Sequence, residues 1–320
     1  MKLIVFLFSL VLFTSAGADQ DIAPALSLLN KMSSALKSLN YHGTLVYTHG
    51  GQVESLKLIH KHTKSGEVQR LVHLSGEARE VIRNNDVVTC YLPDSRSVVV
   101  GERRFNNHLL SRLTKNFGDF AGQYEFIADG KGRIAEREST IVTIRPKDGF
   151  RYGYRFWIDD NSGLLLKSEL LATDGSLLEQ LMFIEVAVVD TIPDSMLQPA
   201  VNGESYTWHN GREKTGGQTE QTSNNWKIAH MPDGFVVTDR SKQKIPSRSQ
   251  PVDYMMVSDG LASISIYIEH FNAQNNNLLG ASSMGAVNVF GSLLTDYHVT
   301  VVGEVPQQTV QMIAESISSQ

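Results

Sequence analysis

The sequence predicts an α+β protein made of two mostly-sheet units, each with helix packed on its sheet. Three observations predict it. Between residues 40 and 190 the apolar residues alternate or fall in short runs cut by Gly, Asn and Asp. Helical three- and four-residue spacing is confined to Asp21–Leu39, Asn107–Phe117 and the end of the chain. One polar stretch, Asn202–Asn225, interrupts the pattern with linker composition.

The elements follow in order. In Asp21–Leu39 the residues Ala25, Leu28, Leu29, Met32, Leu36 and Leu39 form one apolar stripe, with Asp21 and Pro24 as start signals and Asn40 as a stop. Thr44–Thr48 and Val53–His62 flank Gly50-Gly51 as a hairpin. Glu67–Ser75, Ala78–Asn84, Val87–Leu92 and Ser97–Val100 continue as strands. Asn107–Phe117 carries Leu109, Leu110, Leu113 and Phe117 at helical spacing, which predicts a short helix lying on the sheet. Five more strands are predicted: Tyr124–Ala128, Ile141–Pro146, Tyr152–Ile158, Leu164–Leu171 and Leu178–Val189. The turns between the last four hold Asp148-Gly149, Asp159 to Gly163 and Thr173 to Ser176. Connections this short require antiparallel pairing. After the linker, Val252–Val257 and Ala262–Glu269 flank Ser258-Asp259-Gly260, followed by strands Ala286–Leu294 and His298–Gly303. A helix over Pro306–Ile317 closes the chain, its stripe formed by Val310, Ile313, Ala314 and Ile317.

Of the 320 residues, 41% are hydrophobic and 20% charged, a globular balance that sets aside disordered, collagenous and multi-span membrane classes. The net charge of −5 argues against a nucleic-acid partner. Cys90 is the single cysteine, which excludes an intrachain disulfide and a Cys-rich zinc site. Met1–Ala18 reads as a secretory signal: Lys2, an apolar run over Leu3–Phe13, and Ala16-Gly17-Ala18 before a cleavage point at Asp19. The expected organisation is signal peptide 1–18, large unit 19–201, linker 202–225 and small unit 226–320, in an exported protein.

The search for chemistry is mostly empty. There is no G-x-S-x-G elbow, P-loop, G-x-G-x-x-G or H-E-x-x-H. No catalytic residue, cofactor or metal is expected. His60 and His62 project from one strand face, with His73 on a nearby strand. They could approach a zinc, but no Cys or acid stands at ligand spacing, and a polar sheet face is the plainer reading. Asp159 to Gly163 superficially matches a calcium loop yet lacks the terminal glutamate and sits between strands, so it reads as a turn. Cys90 reads as a packed strand residue. Leu164, Leu166, Leu170, Met182, Ile184 and Val186 make one apolar strand face, while Leu165, Leu171, Leu181 and Phe183 make the reverse face partly apolar too. Either helices cover both faces, or the sheet curls around an apolar hollow; from the residues alone a filled core is favoured.

Several tracts together resemble the RseB/MucB family. They are Tyr124-Glu125-Phe126-Ile127, Arg133-Ile134-Ala135, Asp148-Gly149-Phe150-Arg151-Tyr152, Trp157-Ile158-Asp159 and Asp174 through Gln180. Trp226, Pro232-Asp233-Gly234-Phe235, Val302 through Thr309, and Ile313-Ala314-Glu315 extend the likeness to the end. The resemblance implies a periplasmic negative regulator of the sigma-E envelope-stress response. Such a regulator binds the periplasmic region of an anti-sigma factor, RseA or MucA, and shields it from the site-1 protease, DegS or AlgW. Lipopolysaccharide, or other acyl-bearing molecules such as lipoproteins, would release it. The resemblance also implies a large domain like LolA and LolB, an unclosed antiparallel half-barrel covered by helices. A small domain within Trp226–Gln320 would contact the anti-sigma factor, and the protein would form dimers or higher oligomers. On this reading Leu36, Leu58, Phe156, Ile158, Leu166, Met182 and Ile184 are the candidates to line an acyl-chain cavity. Lys61, Lys64, Arg103 and Arg104 are the candidates to meet headgroup phosphates. The alternative function is a periplasmic lipid or lipoprotein carrier.

Overall fold

The structure is a computed structural model that describes residues 22–102, 116–210, 225–243, 250–272 and 278–319. The predicted signal peptide, nearly all of the predicted helix Asn107–Phe117, and residues 211–224 of the predicted linker lie outside the described residues.

Helix α1 (Ile22–Ser38) turns Ala25, Leu29, Met32 and Leu36 inward and buries each of them. Six strands follow as one meander: β1 (Asn40–His49), β2 (Gln52–Thr63), β3 (Gly66–His73), β4 (Glu80–Asn84), β5 (Val87–Leu92) and β6 (Ser97–Glu102). A short 3₁₀ turn, Phe117–Phe120, leads into a second meander. Its strands are β7 (Tyr124–Ile134), β8 (Arg137–Pro146), β9 (Gly153–Asp159), β10 (Leu165–Leu171) and β11 (Leu177–Val189). The last strand of the second meander pairs with the first strand of the first, β11 against β1. With β12 (Thr207–Asn210) this makes a twelve-stranded sheet in the order β12-β6-β5-β4-β3-β2-β1-β11-β10-β9-β8-β7. The ends do not pair, so the sheet is unclosed, and α1 lies against β7, β8 and β10. Leu29, Met32 and Leu36 meet Tyr41, Leu45, Leu58, Phe126, Ile144, Tyr154 and Phe156 in the principal core. Each such side chain contributes about 1.5–3 kcal/mol on burial, so helix and sheet stabilise one another.

The smaller sheet contains β14 (Val236–Gln243), β15 (Val252–Ser258), β16 (Ser263–His270), β17 (Gly280–Met284), β18 (Val287–Leu294) and β19 (Tyr297–Gly303), in the order β14-β15-β16-β19-β18-β17. Helix α2 (Gln307–Glu315) packs Val310 and Ile313 onto β18 and β19. Strand β13 (Trp226–Ile228) pairs with β20 (Ile317–Ser319) beside it.

Three local features differ from the sequence reading. The hairpin β7–β8 runs past Ala128 to a turn at Ala135 and Glu136, where φ is +47° and +63°. Both central residues of a tight hairpin turn need positive φ, a job usually left to Asn and Gly, so the turn carried no sequence signal. Helix α2 stops at Glu315, and Ile317 begins a strand instead of closing the apolar stripe. Part of the predicted linker is β12, which joins β6 in parallel. Trp208 within it stands edge-on to Tyr91 and donates to the Gly203 carbonyl at 3.0 Å.

Candidate functional site

Between the larger sheet and α1 lies a slim cleft of about 270 Å³ of free space opening to solvent, of which about 10 Å³ is wide enough for a water molecule. It is lined by Leu36 of α1, Tyr41 and Leu45 of β1, Leu58 of β2, Leu165 to Ser168 of β10, and Leu181 and Phe183 of β11.

Of the residues expected to line a cavity, Leu36, Leu58 and Leu166 border the cleft. Phe156 and Ile158 are fully buried in the adjoining core. Met182 and Ile184 correct the reading. Met182 pairs with Lys167, whose ammonium lies 4.3 Å from the centre of the Trp157 ring, and this row faces away from the core. Ile184 is 54% exposed. The cause is a pair of β-bulges. Thr44 pairs with Glu185 while Leu45 pairs with Phe183, so Ile184 is the extra residue. Leu165 pairs with Ile158 while Lys167 pairs with Trp157, so Leu166 is extra on β10. An extra residue breaks strict alternation, which is why Leu181 and Phe183 turn inward.

One row of polar side chains crosses the same face. Tyr41, His60, Gln69 and Arg83 stand opposite one another on β1 to β4. His60 is fully buried and stacks on Tyr41 at 4.8 Å. Its Nδ1 bonds to the Leu39 carbonyl at 2.7 Å and its Nε2 to Glu67 at 3.2 Å. Glu67 also pairs with Arg83. His73 instead pairs with Glu54 at 3.2 Å, and His62 is exposed, so the three histidines do not converge. No group of three or more metal-ligating side chains occurs among the described residues. Burial pushes the Tyr41 phenol far above its usual range, so it stays a neutral hydroxyl. Among the described residues the Tyr41 hydroxyl and Ser168 Oγ, both on cleft-lining residues and both buried, have no hydrogen-bond partner. No sequence pattern marks them, because a Tyr and a Ser 127 positions apart come to the wall of one cleft only through the β1–β11–β10 pairing, which sets Ser168 level with Tyr47 and not with Tyr41.

Of the expected headgroup residues, the two that are described, Lys61 and Lys64, do not border this cleft. Lys61 lies on the outer sheet face and pairs with Asp194 at 2.5 Å, beside the small cluster of Ile59, Ile192 and Leu197. Lys64 is exposed near the β2–β3 turn. Arg103 and Arg104 lie outside the described residues. Asp159 is buried and holds its own turn, accepting from Ser162 N at 2.9 Å and from Arg137 at 3.2 Å. Cys90 is a half-buried residue of β5.

The second notable region is the seam between the two sheets. Arg151, fully buried, donates to Asp259 at 2.8 Å, to the Asp233 carbonyl at 2.6 Å and to Asp148 at 2.9 Å. Its guanidinium lies 4.9 Å from the Phe235 ring centre and 5.5 Å from that of Tyr124. The Tyr124 hydroxyl donates to the same Asp259 oxygen at 2.7 Å. Asn288 donates to the Tyr152 hydroxyl at 3.0 Å, and Gln308 and Thr309 of α2 donate to the carbonyls of Gly149 and Phe150. The tracts Asp148–Tyr152 and Pro232–Phe235 thus meet here, far apart in sequence and joined by one arginine.

The chain matches the MucB/RseB N-terminal domain over residues 24–201 and the MucB/RseB C-terminal domain over residues 220–318. It is 31% identical over 322 residues to the sigma-E factor regulatory protein RseB of Salmonella typhimurium, covering 99% of this chain and 98% of that protein. It is 28% identical over 299 residues to the sigma factor AlgU regulatory protein MucB of Pseudomonas aeruginosa, covering 92% and 91%. The solved MucA/MucB complex of Pseudomonas aeruginosa aligns with a TM-score of 0.73 at 26% identity, over 93% of this chain and 99% of that one. Both domain matches fall in order on the two sheets described above, and the chain belongs to the MucB/RseB family.

Proposed function

We propose that this protein is a periplasmic regulator of a sigma-E-type stress response. It occupies the periplasmic region of a membrane anti-sigma factor, shields that region from site-1 proteolysis, and leaves when an acyl-bearing lipid fills the cleft beneath α1. The observation that carries this reading is the likeness, over nearly the whole of both chains, to MucB solved as a complex with MucA. The smaller sheet with α2 is the proposed partner-binding unit, and the larger sheet is the proposed lipid sensor. The role requires no catalytic residue. Dimers or higher oligomers would be its assembled form.

A ligand shifts such an equilibrium only by binding the partner-free form more tightly than the partner-bound form. The cleft suits that role because it is mostly apolar, narrow and open to solvent, so an acyl chain can enter at its mouth and goes deeper as α1 yields. The seam supplies the physical contact, since α1 packs on the Phe117–Phe120 turn and Phe120 lies against Gly260 of the smaller unit.

The test uses the mature chain, a purified anti-sigma periplasmic fragment and the site-1 protease. The fragment is expected to survive when the protein is present and to be cut once acyl lipid is added. Cleavage unaffected by the protein refutes the shielding; equal protection with and without lipid refutes the release. A carrier of lipoproteins, the alternative, would give no protection and would copurify with acylated cargo.

A further inference from the structure

We propose that the cleft selects an acyl chain bearing a hydrogen-bonding oxygen, a hydroxyl or an ester, and that Tyr41 and Ser168 are the residues that read it. This rests on the reading of the cleft as an acyl-chain site. Ten residues line the cleft, and six of them are Leu or Phe side chains other than the bulged Leu166. Into this apolar wall the fold places two hydroxyls, Tyr41 and Ser168, that are 0% and 1% exposed and that no described group satisfies. Buried hydroxyls are almost always paired, so two orphans on one small cleft mark a place where something else supplies the bond. The neighbours do not remove the need. Tyr41 is fixed between His60, stacked at 4.8 Å, and Phe183, edge-on at 6.5 Å, while His60 is already engaged with Leu39 and Glu67.

The free space points the same way. About 10 Å³ is roughly the room one water needs. A water placed there has a hydroxyl of the cleft wall to bond, since Tyr41 and Ser168 both line it. A plain alkyl chain entering the cleft would displace it and leave both hydroxyls unpaired, whereas a chain with an oxygen at that depth would replace its bonds. The asymmetry is the usual basis of strong discrimination by polar groups in an apolar pocket: the penalty falls on the analogue that lacks the oxygen. The phenol, held neutral by burial, can donate to such an oxygen.

The experiment measures binding of dodecanoic acid and of a panel of its monohydroxylated isomers to the mature protein by calorimetry. The same titrations are run on Tyr41→Phe, Ser168→Ala and the double variant. Wild type is expected to bind at least one hydroxylated isomer about tenfold more tightly than the plain acid, the worth of about one satisfied bond. In the double variant the preference disappears, and it does so because the plain acid gains affinity. The thermal midpoint of the variants stays the same or rises, since each removes an unsatisfied group without changing the fold. Equal binding of all the acids by wild type, or a preference that survives in the double variant, overturns the assignment of Tyr41 and Ser168. If none of the acids binds, the acyl-chain reading of the cleft falls, and this inference falls with it.

Discussion

Replacing Asp259 with Ala tests the seam between the two sheets most directly. Asp259 and Arg151 are both fully buried at their charged ends. Removing the carboxylate leaves the guanidinium with Asp148 and the Asp233 carbonyl only. It also strips the acceptor from the Tyr124 hydroxyl and from the backbone N–H groups of Leu261 and Ala262, which donate to Asp259 at 2.9 and 2.7 Å. Breaking a buried pair from one side costs about 3–5 kcal/mol. Arg151 keeps two partners, which lowers that figure, and the orphaned Tyr124 adds about 1 kcal/mol. The expected loss is about 4 kcal/mol, and with a urea slope near ~3 kcal/mol per molar it lowers the midpoint by about 1.3 M. The assay is urea unfolding of the mature protein followed by far-ultraviolet circular dichroism and by tryptophan fluorescence. Trp157 reports from the larger sheet and Trp226 from beside the smaller one. The two probes should coincide in wild type and separate in the variant. Arg151→Met with Asp259→Leu should recover part of the loss, because the guanidinium is no longer left without Asp259, while Tyr124 and the Leu261 and Ala262 N–H groups still lack their acceptor. A loss below about 1 kcal/mol with coincident probes would refute the reasoning.

Further outcomes follow from other parts of the structure. Phe183→Ala should cost about 3–5 kcal/mol and Ile184→Ser less than about 0.5 kcal/mol in the same unfolding assay, because the bulge turns only the first inward. Gly260→Ala should lower the melting temperature, since its Cβ would fall 2.1 Å from Phe120 at a φ of +102°; Phe120→Ala in the same chain should restore part of it. The His49 hydrogen bond holds the Glu54 carboxyl below the usual carboxylate range, with His73 adding to it. A depressed folded value contributes stability that is complete above the unfolded value and is lost as pH falls through the folded one. Melting curves of wild type and Glu54→Gln should therefore differ near neutrality and converge between about pH 5 and pH 3.

Element type was readable wherever periodicity and turn residues agreed. The stripe of α1 and the Gly50-Gly51 hairpin are cases where local preference and tertiary packing coincide. Strand faces on β10 and β11 were not readable, because a bulge is an event between two strands and neither strand alone announces it. Met182 and Ile184 were misplaced for that reason, and Phe183 was passed over. Strands β14 and β17 were missed because one carries mostly polar residues and the other is a small-residue edge strand, so neither has an apolar face to reveal it. The seam was hidden more deeply: Arg151 and Asp259 lie 108 positions apart, and each looks in sequence like an ordinary charge beside an Asp-Gly turn.

The attachment of α1 has a mechanical meaning. At its tail the Leu39 carbonyl is gripped by buried His60, and the chain runs straight into β1. Midway, Lys31 reaches across to the carbonyls of Asp160 and Asn161, at 3.0 and 3.3 Å, and these contacts are exposed. Between these points Ala25, Leu29 and Met32 seat the helix in the core and Ile22 packs against it, so the helix pivots about the anchor only when the clip lets go and those side chains lift from their seats. Its 17 residues give a lever of about 25 Å, so a tilt of about 10° swings the far end by about 4 Å while hardly disturbing the anchored end. A small wedge near Leu36, close to the fulcrum, would thus be magnified at Ile22.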